Sequence, residues 1–166
     1  SYGGYSVMSA FFDYDRDGDL DLYVLTRKVG DEFTAYYREK VTDGSSTNND
    51  KLYRNNSDGT FTDVTLQAGI KEEGYGFGIA VADFNNDHWP DLYISNDYIT
   101  NDILYLNNRN GSFTNVTKKY LGHQSTFSMG NDAADFNNDA LPDIITLDML
   151  PENNHRKKTT VNNKTY

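Results

Sequence analysis

The stretch from Ala80 to Ser95, AVADFNNDHWPDLYIS, decides the fold because the chain repeats it. Related stretches begin at Ala10, AFFDYDRDGDLDLYVL, and at Asp132, DAADFNNDALPDIITL. A second phrase recurs between them, as LYRNNSDGTFTDVT from Leu52 and as LYLNNRNGSFTNVT from Leu104, 52 residues later. The first repeat is longer by 18 residues, and we place this insertion at about 28–49. A fixed period of this kind indicates a repeat architecture.

Each period holds the sequence pattern of four short β-strands. In the second repeat the strands are predicted at 77–83, 91–96, 102–107 and 112–117, separated by turns rich in Asn, Asp and Gly. Small residues are frequent in the first strand of each unit, as expected for innermost strands that crowd around a central axis. Four-stranded units with a period of about 50 residues are typical of propeller blades. A β-sandwich would also have short strands, but it would not explain so strict a repeat.

The predicted fold is all-β, a partial β-propeller of about two and a half four-stranded blades. The whole chain forms one propeller segment, divided into blade one (1–70, with the insertion), blade two (71–122), the first half of blade three (123–150) and a connection towards a further strand (151–166). The insertion is expected to contain a helical turn at FTAYYREK, residues 33–40. Because the closing phrase does not return after Asp143, we expect the chain to be a fragment. Further blades of the same protein, or other chains of an assembly, would complete it.

The loop between the first two strands concentrates negative charge. In DYDRDGDLD, residues 13–21, aspartate occupies positions 1, 3, 5, 7 and 9, and Gly18 is at position 6. Without a cation these carboxylates would repel one another by on the order of 1 kcal/mol per pair even in water. Many oxygen ligands with no His or Cys suit Ca²⁺, which takes six to eight oxygens. The alternative interpretation is a metal-free turn in which the aspartates bond only to the backbone.

The same spacing recurs in the second and third repeats, with position 7 offering its backbone carbonyl. We therefore predict calcium loops between strands one and two of each blade, and about three Ca²⁺ in all. The predicted ligands are Asp13, Asp15, Asp17, Asp19, Asp21, Asp83, Asn85, Asp87, Trp89, Asp91, Asp135, Asn137, Asp139, Leu141 and Asp143. These are not EF-hand loops, because position 12 is never the required Glu and the flanking segments are strands.

Position 6 of the loops is expected to be left-handed, which favours glycine. His88 and Ala140 take this position in the second and third loops. Ala140 bears the larger strain because an Asn, Asp or His residue tolerates this conformation better than alanine. We therefore expect the third loop to bind calcium most weakly.

Composition excludes several classes of function. A net charge of −10 with no basic stripe argues against nucleic-acid binding. No apolar run is long enough to span a membrane directly, and the absence of cysteine excludes a disulfide framework. The three histidines form no motif with a nucleophile, and the regularly spaced carboxylates are better explained as metal ligands than as a catalytic pair. We do not expect an enzyme.

Three stretches of the sequence resemble a known family of repeats. FGIAVADFNNDHWPDLYIS, residues 77–95, resembles an FG-GAP repeat, the unit of integrin α-subunit propellers and of bacterial VCBS repeats. LYRNNSDGTFTDVTLQAGI and AADFNNDALPDIITLDMLPE resemble more narrowly the secreted VCBS-repeat proteins related to ASPIC/UnbV and cartilage acidic protein. Against this pattern, His88 and Ala140 replace the usual glycine.

This resemblance implies a calcium-stabilised propeller that is extracellular or on the cell surface, either secreted or associated with a bacterial outer membrane. It implies recognition of a protein or glycan ligand, or a scaffolding role, rather than catalysis. The alternative is an accessory propeller in a calcium-dependent extracellular hydrolase or lyase.

The expected position of a partner follows from the connectivity of an up-and-down blade. Loops after strands one and three share one face, and loops after strands two and four share the other. A partner is therefore expected opposite the calcium, where the insertion contains Tyr36, Tyr37 and Arg38, residue types frequent at binding hot spots. The alternative is that the insertion is a solvated loop.

Overall fold

A computed structural model of the chain describes residues 5–27, 39–97, 100–125 and 127–149. Within these ranges it contains three antiparallel sheets whose strands follow chain order. Blade one comprises β1 (Tyr5–Phe12), β2 (Asp21–Arg27), β3 (Lys51–Asn55) and β4 (Phe61–Asp63). Blade two comprises β5 (Gly76–Ala82), β6 (Asp91–Asn96), β7 (Ile103–Asn107) and β8 (Phe113–Asn115), and it is followed by the helical turn α1 (Thr117–Tyr120). The third sheet contains β9 (Ser128–Ala134) and β10 (Asp143–Asp148).

This arrangement confirms the prediction of an all-β, partial β-propeller. The four strands predicted for the second repeat are present with ends shifted by at most two residues, and β6 matches its predicted range. Most of the helical turn expected at 33–40, including Tyr36, Tyr37 and Arg38, lies outside the described residues. So does the predicted connection at 151–166.

The three sheets share one register, down to their irregularities. Ala10 pairs with Tyr23 in blade one, and Ala80 pairs with Tyr93 in blade two. The first strand of every sheet also carries one unpaired residue at the same repeat position. These residues are Val7, Phe77 and Met129. A bulge at an equivalent point in each sheet bends the inner strands alike, which supports a common blade geometry.

Small residues allow the innermost strands to approach closely. β5 contacts β1 on one side and β9 on the other. A Cβ atom added at Gly78 would lie 2.8 Å from the backbone nitrogen of Asn131, and one added at Gly76 would lie 3.1 Å from methyl carbons of Leu25. Larger side chains at these positions would push neighbouring blades apart. This agrees with the prediction from the sequence that the inner strands are crowded.

The main hydrophobic core lies between blades one and two. Because side chains alternate across a strand, Tyr23 and Leu25 of β2 face blade two, while Leu92 and Ile94 of β6 face blade one. The core comprises Phe12, Tyr14, Tyr23, Leu25, Leu52, Val64, Ala68, Ile70, Ile79, Leu92, Ile94, Ile103, Tyr105 and Phe113. A smaller core joins blades two and three, in which Tyr93 and Leu104 pack against Ala133 and Ile144. Within the described ranges, no helix has the length and apolar character needed to cross a lipid bilayer.

The later half of the predicted insertion belongs to the folded blade. The Glu73 carboxylate accepts hydrogen bonds from the Val41 N–H (2.6 Å) and the Ser46 hydroxyl (2.8 Å). The Asn48 side chain donates to the Tyr75 hydroxyl at 3.2 Å, and the Asn49 side chain donates to the Ile70 carbonyl at 3.1 Å. Residues 41–49 are thus anchored to the connection between the blades and do not form a free loop.

In each complete blade, one buried aspartate holds the corner between the second and third strands. Asp50 accepts hydrogen bonds from the Thr26 N–H (3.0 Å) and the Tyr23 hydroxyl (3.2 Å). Asp102, 52 residues later, accepts from the Asn96 N–H (2.8 Å), the Tyr93 hydroxyl (2.6 Å) and the Ser128 hydroxyl (3.0 Å). Both carboxylates therefore end a second strand and orient its tyrosine.

Candidate metal centres

Each acidic loop is anchored by the aspartate at position 9, the first residue of the second strand. Asp21 is fully buried and accepts hydrogen bonds from the Tyr14 N–H (3.1 Å) and the Asn55 N–H (2.8 Å). Asp91 makes the same pair of bonds with the N–H groups of Phe84 (2.9 Å) and Asn107 (2.8 Å). In both loops this carboxylate links the start of the loop to the end of the third strand, so the strands of the sheet fix the loop backbone.

The aspartate at position 1 organises the loop centre. The position 6 N–H donates to this carboxylate in all three loops. The pairs are Gly18 to Asp13 at 3.1 Å, His88 to Asp83 at 2.6 Å, and Ala140 to Asp135 at 2.9 Å. Each of these bonds requires a backbone turn that brings the position 6 N–H back towards the loop start.

The left-handed conformation expected at position 6 is present. The φ angle is 97° at Gly18, 70° at His88 and 68° at Ala140. Only the first loop meets this requirement with a residue that lacks a Cβ atom, so the other two retain a conformational cost.

The first loop contains an arrangement that suits a hard cation. Asp13, Asp15 and Asp21 each direct one carboxylate oxygen to a common region, where the three atoms lie within 4.8 Å of one another. The Asp13 Oδ1 atom is buried, and among the described residues it has no hydrogen-bond partner. A buried acceptor left unpaired is costly, and a bound cation would remove that cost. These three carboxylates are thus ligands of the kind that Ca²⁺ takes.

The remaining predicted ligands of the first loop lie at its rim. Asp17 accepts a hydrogen bond from the Asp19 N–H at 3.0 Å. The Asp19 carboxylate accepts from the Ser57 hydroxyl at the tip of the β3–β4 hairpin. The structure thus brings Asp13, Asp15 and Asp21 together, while Asp17 and Asp19 bond to the loop backbone and to the hairpin.

The second and third loops have the same internal bonds with fewer charges. Asn85 accepts from the Asp87 N–H at 3.0 Å, and Asp87 accepts from the Trp89 N–H at 2.8 Å. In the third loop, Asn137 accepts from the Asp139 N–H, and Asp139 accepts from the Leu141 N–H, both at 2.9 Å. Asp143 accepts from the Phe136 N–H at 3.1 Å. All the predicted ligands of these loops therefore occupy matching places, with an amide in place of a carboxylate at position 3.

Burial dominates the electrostatics of these loops. It raises the pKa of Asp21 to about 6, and that of Asp91 to about 6, in spite of their backbone hydrogen bonds. Burial also raises the pKa of Asp15, and the neighbouring Asp17 charge adds to this effect. For Asp87, burial acts in the same direction, but hydrogen bonds from the Trp89 N–H and Arg109 outweigh it and lower the pKa. In the first loop, the Arg54 charge lowers the pKa of Asp15 by less than burial raises it, whereas in the second loop Arg109 bonds directly to Asp87.

The outer hairpins lie on the same face of the blades as the acidic loops. Ser57 contacts Asp19 in blade one, and in blade two the Arg109 guanidinium bonds to Asp87. These contacts confirm that the loops after strands one and three share a face. Arg16 also joins neighbouring loops, since it donates to the His88 carbonyl and lies 5.1 Å from the ring centre of Trp89.

The sequence comparison covers most of this framework. A family model described as an FG-GAP-like repeat matches residues 40–94 and 89–146. The chain belongs to the FG-GAP-like repeat family. The matches include the second and third acidic loops of this FG-GAP-like chain, while the first loop, 13–21, precedes them. A comparison with curated proteins finds no significant match.

Sequence reasoning missed two features of these FG-GAP-like blades. Asp50 and Asp102 each follow an asparagine and precede a repeat phrase, as NDKLY and NDILY, and this recurrence was the signal available for them. Arg109 carried no such signal, because its partner lies 22 residues earlier in the chain.

Proposed function

We propose that this FG-GAP-like chain is a calcium-binding, non-catalytic propeller segment that recognises a protein or glycan, or serves as a scaffold, outside the cell or at its surface. The observation that carries the calcium proposal is the buried, unpaired Asp13 Oδ1 atom beside Asp15 and Asp21. The family supports the recognition or scaffold role and the extracellular location. The narrower kinship with secreted VCBS-repeat proteins related to ASPIC/UnbV and cartilage acidic protein rests on sequence resemblance.

Calcium would act here as a structural ion. Asp13, Asp15 and Asp21 would hold it in the first loop, with Asp17 and the Asp19 carbonyl completing the set. The equivalent residues would do so in the other two loops. Three such ions carry six positive charges against a net charge of −10. By neutralising carboxylates at the blade junctions, they would stabilise the native state over the unfolded chain.

Calorimetric titration of the metal-free protein tests this proposal. We expect about three ions to bind, calcium to raise the melting temperature, and Mg²⁺ to substitute poorly because it demands a smaller and more rigid site. Asp13→Asn should remove or weaken one site. Asp43→Asn is the matched control, because Asp43 is exposed, lies outside the loops and bonds only locally to Ser45. If the protein binds no calcium and its melting curve is unchanged by calcium, the proposal is contradicted.

The proposed recognition surface is the face opposite the metal loops. It includes the connections between the second and third strands and the connections between blades. Because residues 41–49 are anchored to Glu73 and its neighbours, the deletion that tests this face is 30–37. That variant should retain its melting temperature and lose binding on a protein or glycan array to which the parent binds. A footprint centred on the acidic loops would reverse the assignment.

A further inference from the structure

The second acidic loop has a positive charge supplied by the neighbouring hairpin. Arg109, at the tip of the β7–β8 hairpin, donates from Nε to Asp87 Oδ2 at 3.1 Å, and its Nη2 atom lies 3.0 Å from the same oxygen. The Asp87 side chain is only 11% exposed, whereas that of Arg109 is 56% exposed. The pair therefore joins a mostly buried carboxylate to a cation that can move towards solvent.

The equivalent position in blade one makes a neutral contact. Ser57 precedes Arg109 by 52 residues and shares its left-handed backbone, with φ of 59° against 62°. Its hydroxyl donates to Asp19 of the first loop. The hairpin tip thus reaches into the acidic loop in both blades, but only in blade two does it bring a full charge. The first loop has five carboxylates, whereas the second has three, of which Asp87 is bonded to the Arg109 guanidinium.

We propose that Arg109 is a built-in counter-cation that lowers the calcium affinity of the second loop. This inference rests on the proposed calcium-binding function. Without metal, Arg109 satisfies Asp87, so the loop gains less from binding an ion. With metal, the guanidinium and the divalent ion share one carboxylate and repel each other. The blades would therefore bind calcium at different concentrations, with the first loop filling before the second.

Trp89 provides a luminescence readout for this loop, and a variant checks that the signal arises there. It is the only tryptophan of the chain and occupies position 7 of the second loop. Terbium ions substitute for calcium at oxygen sites and luminesce when a nearby indole transfers energy to them. Excitation that tryptophan absorbs and tyrosine does not will report the second loop, and Asp83→Ala should abolish the signal and so verify the assignment.

The test compares three proteins by terbium titration and by displacement with calcium. Arg109→Ser, which copies blade one, should tighten binding at the Trp89-reported site on the order of tenfold. Arg109→Lys keeps the charge and should stay within about twofold of the parent. Higher salt should shrink the difference, because the guanidinium is partly exposed. The reciprocal change Ser57→Arg should weaken the tightest calcium site seen by calorimetry.

The outcomes separate this inference from the proposed function. Tightening in Arg109→Ser but not in Arg109→Lys supports the counter-cation. Unchanged or weaker binding in Arg109→Ser would show that Arg109 only orients Asp87, and it would overturn the inference while calcium binding stands. Calcium binding seen by calorimetry, with no terbium signal from Trp89 in any variant, would also overturn the inference and leave calcium binding intact. No calcium binding by any variant would overturn both.

Discussion

Blades one and two share their strands, register and bulge, but they differ in the charge of their acidic loops. Asn85 makes the same backbone bond in the second loop that Asp15 makes in the first, and Trp89 stands where the first loop has Asp19. The frame therefore forms without the charges of Asp15 and Asp19. Since the Asp15 carboxylate is not needed to hold the loop, its presence in the first loop supports the proposed calcium site.

The largest effect is expected where the two blades are alike. Asp21→Ala and Asp91→Ala each remove a buried carboxylate that accepts two backbone hydrogen bonds. Each change should lower the free energy of unfolding by about 3 kcal/mol in the absence of calcium, measured by urea denaturation. Asp58→Ala is the control, because this exposed carboxylate bonds only to Thr60. A small effect for one blade alone would show that the frames are not equivalent.

The buried strand-corner aspartates differ between the blades, and pH should show it. Burial raises the pKa of Asp50 to about 7, against roughly 3.9 in an unfolded chain. Its stabilising contribution is thus full below the unfolded pKa and is lost as pH rises through about 7. On acidification from pH 7 to 5, the metal-free protein should gain roughly 2 kcal/mol from this group.

Asp50→Asn should remove that part of the pH dependence, as measured by urea denaturation at several pH values in chelator. Burial also raises the pKa of Asp102, which has a third donor in Ser128. We therefore expect Asp102→Asn to change the slope less than Asp50→Asn does. Equal slopes in the parent and in Asp50→Asn would mean that Asp50 stays ionised in the fold.

Exchanging position 3 between the loops sharpens the comparison of their charges. Asp15→Asn copies the second loop and should weaken calcium binding at the first by on the order of tenfold, about 1.4 kcal/mol. Its stability in chelator should not fall, because the amide oxygen can accept the same backbone bond. Asn85→Asp should tighten the second loop. Calorimetry of both variants measures these changes in calcium affinity. Tighter binding in Asp15→Asn or weaker binding in Asn85→Asp would contradict the comparison.

The smallest effect concerns the left-handed position. Ala140→Gly relieves a non-glycine residue at φ of 68° and should tighten calcium binding at the third loop by about 1 kcal/mol. His88→Gly should gain less, because histidine tolerates this conformation better. If the two changes have equal effects in calcium titrations, strain at Ala140 does not explain why one loop is weaker.

The repeated phrases were sufficient to predict the blades and the loop frame. The repeat and its turn residues place a strand at 91–96. Gly18 indicates a left-handed turn, and the repeat assigns the same conformation to His88 and Ala140. Contacts between distant segments were not readable in this way. In the sequence, Asp50 has the pattern of a turn residue, and only the fold places the Tyr23 hydroxyl within hydrogen-bond distance of it. Glu73 likewise anchors residues 41–49, although it lies more than 20 residues away in the sequence. Arg109 reaches Asp87 only because two loops share a face.

The matched family units cross the blade boundaries. The first, 40–94, runs from before β3 into β6, and it contains Leu52 on one side of a blade junction and Leu92 and Ile94 on the other. In evolutionary terms, copying such a unit within a gene duplicates residues from both sides of a junction together with one acidic loop. A propeller could gain a blade without its neighbours adapting to a new surface. The seam between copies lies between the second and third strands, the same place where this chain has accepted its insertion.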